Sequence, residues 1–328
     1  MSSRPTQDDI AREAGVSRGL VSLALSGSST VADSTRERIL AVAERLGYTR
    51  NLSAAMLAAR TSPIVGIVLP NLMHPFFDSM VSSIQSVADD LGKMAFTAIR
   101  GEMQTNESCA LDYFIGLRVG GAVLVAPTLP KDRLIEYGTK IPTCVIAGDV
   151  VGGTIDSVYI DEDAAAKLVL THLNEAGYEK IVFFTRETTA ADELVHRRVE
   201  SFTSAVSATG VKPDVRVVHD VDSSVRDLIH EGGPRTAIVC YNDPLAMDVV
   251  MAARALGLEP GADIGVVGYD NTFYAEKPGY DITSIDPKPH EMAAAALDFV
   301  TSRAEQLALD ARHHLVQPAL IVRGSTSR

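Results

Sequence analysis

The chain has 328 residues, 46% of them apolar and 22% charged, which is material for two or three globular domains. Its formal charge of −12 would exclude a polyanionic partner if evenly spread, but residues 1–62 are net +2 and the remainder net −14, so an acidic body follows a weakly basic head. No apolar run approaches the eighteen residues of a membrane span, and MSSRPTQDDI has no apolar core of a secretory signal, so the expected location is cytoplasmic.

In chain order, PTQDDIAREAGVSRGLVSLALS (5–26) reads as two short helices joined by a tight turn. Thr6 and Asp9 have capping-box spacing, and Ile10, Ala11 and Ala14 share one face. Gly15 can take the positive φ that ends the first helix, and Ser17 can cap the second, which carries Leu20, Val21, Ala24 and Leu25. Helix, glycine turn and helix is the layout that sets a second helix into a DNA major groove; an ordinary hairpin inside a core has the same pattern. Asp33–Leu46 reads as a third helix that buries Ile39, Leu40, Val42, Ala43 and Leu46, with Gly47 at its end. Asn51–Arg60 is Ala-rich but too short to be helical unaided, so it is either a plain linker or a helix that folds against a partner.

From Ile64 the pattern becomes apolar strands alternating with amphipathic helices. IVGIVLP, MAFTAIR, GAVLVAP, TCVIAG, KIVFFT, VRVVHD, TAIVCYN and IGVVGYD read as buried parallel strands of a doubly wound α/β protein with two similar lobes. Ligands of such sheets sit at the carboxyl ends of the strands. No phosphate-binding glycine loop, GxSxG elbow, HExxH or clustered Cys/His set is present, and Cys109, Cys144 and Cys240 read as reduced thiols. The expectation is therefore a non-enzyme without a cofactor or metal. Asp149, Asn242 and Asp270 follow strands, with Phe76, Phe77, Tyr241 and Tyr269 nearby. Short polar groups beside aromatic faces suit a hydroxylated small molecule; any one of them alone reads more readily as a turn or helix cap, and the three together shift the balance toward a site.

Several segments together resemble the LacI/GalR family of bacterial transcription repressors: IAREAGVSRGLVSLALSG, TRERILAVAERLGY, HPFF (74–77), CYND (240–243), GYDN (268–271), ITSI (282–285) and VRGST (322–326), in matching order over nearly the whole chain. The resemblance implies a helix-turn-helix headpiece (1–49), a hinge helix (50–62) and a periplasmic-binding-protein-like core (63–328). Its lobes would be about 63–160 with 287–317 and 161–286 with 318–328. It implies a homodimer on a near-palindromic double-stranded operator, with a small-molecule effector between the lobes and a sugar as first guess. DNA contacts carried over fall on Thr6, Ser17, Arg18, Gly19, Leu20, Ser22 and Leu23, and on Asn51, Ala54 and Leu57 of the hinge, where Leu57 matches the minor-groove wedge. Effector contacts fall on Phe76, Phe77, Asp149, Asp161, His196, Arg198, Tyr241, Asn242 and Asp270, with Arg198 equally readable as a structural ion-pair partner. Leu20 and Leu23 replace the family's Thr and Arg, Arg50 and Ala55 its Pro and Arg, and His196 its effector-binding Arg. The departures move base contact onto Arg18 and Gly19, with Arg18 favouring guanine. The same scaffold could serve a solute-binding protein or a sugar-modifying enzyme. The headpiece argues against the first, and the lack of a nucleophile–base pair against the second.

Overall fold

The computed structural model describes residues 5–25, 27–49, 62–101, 105–148, 152–187, 192–232 and 235–327. The expected hinge helix with Asn51, Ala54, Ala55 and Leu57, together with Arg50 and Asp149, lies outside them. The chain divides into two compact units, Met1–Thr61 and Ser62–Arg328.

The first unit contains α1 (Gln7–Ala14), α2 (Arg18–Leu25) and α3 (Asp33–Arg45). Thr6 and Asp9 cap α1 reciprocally: the Asp9 N–H donates to Thr6 Oγ1 at 3.3 Å and the Thr6 N–H to Asp9 Oδ2 at 3.0 Å. Gly15 ends α1 at φ 64°, where a Cβ would be strained. Ile10, Ala14, Val21, Ala24, Val31, Ile39, Val42 and Ala43 make the core. Leu40 does not join it and is 45% exposed. Ile39, Val42, Ala43 and Leu46 recur at helical spacing, whereas Leu40 is turned about 100° from Ile39. Arg36 is a structural residue, donating to the Ser28 carbonyl at 2.6 Å and so holding the loop before α3.

The second unit contains two six-stranded sheets. Its elements in order are β1 (Ile64–Leu69), α4 (Pro75–Asp90), β2 (Met94–Ile99), α5 (Thr105–Gly116), β3 (Gly121–Val125), α6 (Lys131–Gly138), β4 (Thr143–Ile146), β5 (Asp156–Ile160), α7 (Glu162–Glu175), β6 (Lys180–Thr185), α8 (Glu193–Ser207), β7 (Asp214–Val217), α9 (Val221–His230), β8 (Thr236–Cys240), α10 (Asp243–Ala255), β9 (Gly265–Tyr269), β10 (Thr283–Asp286), α11 (Pro289–Arg303), β11 (His313–Val316) and β12 (Ala319–Ile321). The first sheet runs β11-β5-β4-β3-β1-β2 and the second β12-β10-β9-β8-β6-β7. All pairings are parallel except β10 with β12. The chain passes between the lobes after β5, after β10 and after β11.

The eight expected strands all form, but two are not buried. β2 and β7 end their sheets, so each has one unpaired edge and β2 exposes Met94, Phe96 and Ile99. β5, β10, β11 and β12 add to these eight. They are three to five residues long, and their pairings join segments far apart in sequence.

One buried ion cluster pins the returning helix to the first lobe. Arg303 and Asp156 are both fully buried. Arg303 donates to the two carboxylate oxygens at 2.8 and 2.6 Å, and Arg312 adds contacts at 2.8 and 3.1 Å. Burial alone would raise the Asp156 pKa, but the hydrogen bonds from the two guanidiniums outweigh it and hold the carboxyl below its ordinary value. Its contribution to stability is therefore complete above about pH 4 and is lost as the pH falls further. Asp156→Asn leaves a buried guanidinium without its counter-charge and is expected to lower stability at pH 7 by about 3–5 kcal/mol in urea unfolding. A loss below about 1 kcal/mol would mean that the cluster is not a fastener.

Candidate functional site

Two surfaces carry the candidate residues. On α2, Val21 and Ala24 turn inward and Leu20 is half-buried against the same core. Arg18, Gly19, Ser22 and Leu23 are left exposed on the opposite face. The Ser17 hydroxyl accepts from the Leu20 N–H at 3.2 Å, so this residue is a helix cap, as is Thr6. Arg18 is exposed and only loosely held, 3.8 Å from Asp8.

The second surface is a cleft of about 600 Å³ at the carboxyl ends of the strands, within the range of small-molecule sites. The first lobe contributes His74, Phe76, Phe77, Arg100 and Lys131, and the second Arg198, Tyr241, Asn242 and Asp270. Phe76 sits mainly in the first-lobe core, while Phe77 is half-buried and meets the His74 ring at 5.4 Å.

Arg198 is embedded rather than free. It donates to the Tyr241 carbonyl at 2.6 Å, to Asp270 Oδ1 at 3.1 Å and to Glu162 Oε1 at 3.4 Å, and it lies 3.5 Å over the Tyr269 ring. Tyr269 donates to the other Glu162 oxygen at 2.5 Å. Burial works against the Arg198 charge, but Asp270, Tyr269 and Glu162 outweigh it and raise its pKa. Burial pushes the Glu162 carboxyl and the Tyr241 phenol upward. Asp270 holds φ at 96°, a strained conformation for a residue with a Cβ, and this keeps its carboxylate between Arg198 and the cleft.

Asn242 caps α10 by accepting from the Leu245 N–H at 3.0 Å. Its amide nitrogen therefore points across the cleft to His74 Nε2, 2.8 Å away. The other ring nitrogen, Nδ1, accepts from the Phe76 N–H at 3.3 Å as the N-cap of α4, so donors face both nitrogens of the ring. Asp270 Oδ2 lies 3.8 Å from the same His74 nitrogen. One first-lobe histidine thus touches both polar anchors of the second lobe. Burial lowers its pKa, Asp270 raises it and Arg198 lowers it, for a net shift below the ordinary value of 6.5.

Phe76, Phe77, Arg198, Tyr241, Asn242 and Asp270 thus come together. Asp161 does not line the cleft: it caps α7, accepting from Ala164 N–H at 2.9 Å and from Gln317 at 3.1 Å. His196 does not line it either. It is two residues before Arg198, about 200° around α8, and is exposed. His74, Arg100 and Lys131 were not singled out, although His74 opens HPFF and Arg100 directly follows a strand, where the strand-end rule points.

Residues 6–51 match the family described as bacterial regulatory proteins, lacI family, and residues 170–326 match a periplasmic binding protein-like domain. The chain is 26% identical to the HTH-type transcriptional regulator DegA of Bacillus subtilis (strain 168), with 97% of each chain covered. It is 24% identical to the HTH-type transcriptional repressor CytR of Escherichia coli (strain K12), covering 98% of this chain and 96% of that one. In fold it is similar to a lac repressor dimer solved bound to operator and the anti-inducer ONPF, with a TM-score of 0.85 and 22% identity over 99% of this chain and 100% of that chain.

The His74 shift has a sign that can be tested. A histidine with a depressed folded pKa contributes stability that is present above about pH 6.5 and declines as the pH falls toward the folded value. NMR titration should place His74 below 6.5. Stability should fall between pH 7.5 and 5.5, and His74→Gln should flatten that dependence. An unchanged pH profile in the variant would remove His74 as its source.

Proposed function

The chain belongs to the LacI/GalR family of bacterial transcription regulators, and from that premise we propose that it is a cytoplasmic, homodimeric repressor whose hold on a near-palindromic operator is set by a sugar-like ligand in the cleft. The coarser function is plain from the relatives: a sequence-specific DNA-binding regulator modulated by a small molecule. The observation that carries the finer reading is the presence in one chain of an exposed face on α2 and a cleft with aromatic and polar walls. No catalytic step is assigned to the cleft.

On DNA, Arg18 and Gly19 take the base-reading positions, with Ser22 and Leu23 beside them. A guanidinium can contact guanine bidentately, and Leu23 can meet a thymine methyl. Ser17, Thr6 and the half-buried Leu20 set the helix against the backbone. The hinge proposal for Asn51, Ala54 and Leu57 rests on sequence alone. A head of net +2 supplies little non-specific affinity, so two heads on two half-sites are needed for a useful grip. The dimer surface is assigned to the exposed apolar side chains of the β2 edge, Met94, Phe96 and Ile99.

In the cleft, Phe77 offers a ring face, with Phe76 behind it and Tyr241 opposite. Asn242 and Asp270 offer hydroxyl-binding groups, and Arg198 holds them in place. Asp149 remains a sequence-based candidate. Asp161 and His196 have weaker claims because neither lines the cleft. A ligand that engages both walls changes the relative stability of the lobe arrangements, and a preference of a few kcal/mol is enough to switch the population.

Randomised-site selection tests the DNA half. Arg18→Ala should abolish the preference for guanine at one position per half-site, worth about 1–3 kcal/mol; an unchanged preference at every base refutes the assignment. The double variant Phe96→Glu, Ile99→Glu should sediment as a monomer and bind operator at least about tenfold more weakly. A dimer that survives both substitutions places the interface elsewhere. Gel shift of a selected operator with and without sugars tests the ligand half.

A further inference from the structure

The two cleft walls differ in charge. Among the described residues, the second-lobe wall carries Glu187, Asp192, Glu193 and Asp270, and its cations are engaged: Arg186 with Asp248 at 2.5 Å, and Arg198 with Glu162 and Asp270. The first-lobe wall carries Arg100 and Lys131 with no described acid in the lining.

Arg100 directly follows β2, and its backbone N–H donates to the Leu69 carbonyl at 2.8 Å. Its side chain is 15% exposed, and its Nε is buried with no hydrogen-bond partner. The nearest described carboxylate, Glu107, is 3.9 Å away. Glu107 accepts instead from the Thr128 and Leu129 N–H groups and the Thr128 hydroxyl. It thus compensates charge at a distance and leaves Arg100 Nε without a hydrogen bond. Lys131 is exposed at the start of α6, whose N-cap, Pro130, supplies no side-chain bond. A largely buried guanidinium whose Nε lacks a hydrogen bond, on the same cleft wall as an exposed ammonium, favours an oxyanion, which each can hydrogen-bond with charge assistance.

We propose that Arg100 and Lys131 form an oxyanion subsite on the first-lobe wall, so that the effector is a hydroxylated molecule bearing a carboxylate or phosphate group. This rests on the cleft being the effector site and names the class of ligand it takes. The acidic groups opposite repel the anionic end, and Asn242 and Asp270 receive the hydroxyls, so the ligand has one orientation.

The test is thermal shift followed by calorimetry on the full-length protein. The probes are inorganic phosphate and glucose, galactose and mannose, each hexose as the neutral sugar, the uronate and the 6-phosphate. An acidic member should bind at least about tenfold more tightly than its neutral parent, and the uronate and phosphate arms identify the oxyanion. Lys131→Gln and Arg100→Gln should each weaken that member about ten- to a hundredfold and leave the neutral parent within about twofold, with Arg100→Lys between. Lys131 is exposed, so its variant separates lost binding from lost folding. Equal binding of acidic and neutral members, or an acidic member indifferent to both variants, overturns the subsite. A neutral sugar that binds and is lost on Phe77→Ala overturns the subsite but leaves the sugar cleft standing. Silence from the whole panel, with no response of operator binding, overturns both.

Discussion

A single buried guanidinium holds the second-lobe side of the cleft together. Arg198 reaches the start of α7 through Glu162, the end of β8 through the Tyr241 carbonyl and the end of β9 through Asp270, while its plane lies on the Tyr269 ring. An isolated buried charge would be prohibitively costly, so the arrangement persists only because all these partners are present together. The partners in turn are fixed by it: Asp270 keeps a strained backbone and presents its second oxygen toward His74. The polar anchors therefore meet a ligand already oriented, which reduces the ordering cost of binding.

The first lobe is fastened differently. Its returning helix α11 arrives from the second lobe and is tied down by Asp156, Arg303 and Arg312 beneath a fully apolar packing of Met292, Ala296, Leu297 and Val300. Each lobe thus has its own buried ion cluster. Between them, the cleft is bridged by the His74–Asn242 hydrogen bond. Second-lobe Leu194 also packs against the first-lobe core, and two lobes joined by three crossings can act as a hinge, where modest ligand energies select between arrangements.

The head contrasts with this core. Its interior is a few Ile, Val and Ala side chains, and it depends on capping at Thr6 and Ser17 and on Arg36 holding a loop. Such a small core is marginal by itself. Its second helix leaves Arg18, Gly19, Ser22 and Leu23 exposed, outside the packed core.

Local chemistry alone settles the caps of α1, the turn at Gly15, eight of the strands and the rule that a site lies beyond their carboxyl ends, because each signal is contained within a few neighbouring residues. The resemblance to LacI/GalR regulators is legible for the same reason, being carried by short contiguous motifs. Three-dimensional packing decides the rest. Asp161 and Asp270 are both short carboxylates after a strand, yet one caps a helix and the other faces the cleft. His196 and Arg198 are separated by helix phase, which depends on which face the lobe buries. Whether β2 is central or at an edge depends on the order of strands in the sheet, and the short β10, β11 and β12 exist through pairing with distant partners. Asp156 meets Arg303 across 147 residues and Arg198 meets Asp270 across 72. Burial and partnership at such separations follow from the whole chain's packing, which no local pattern encodes.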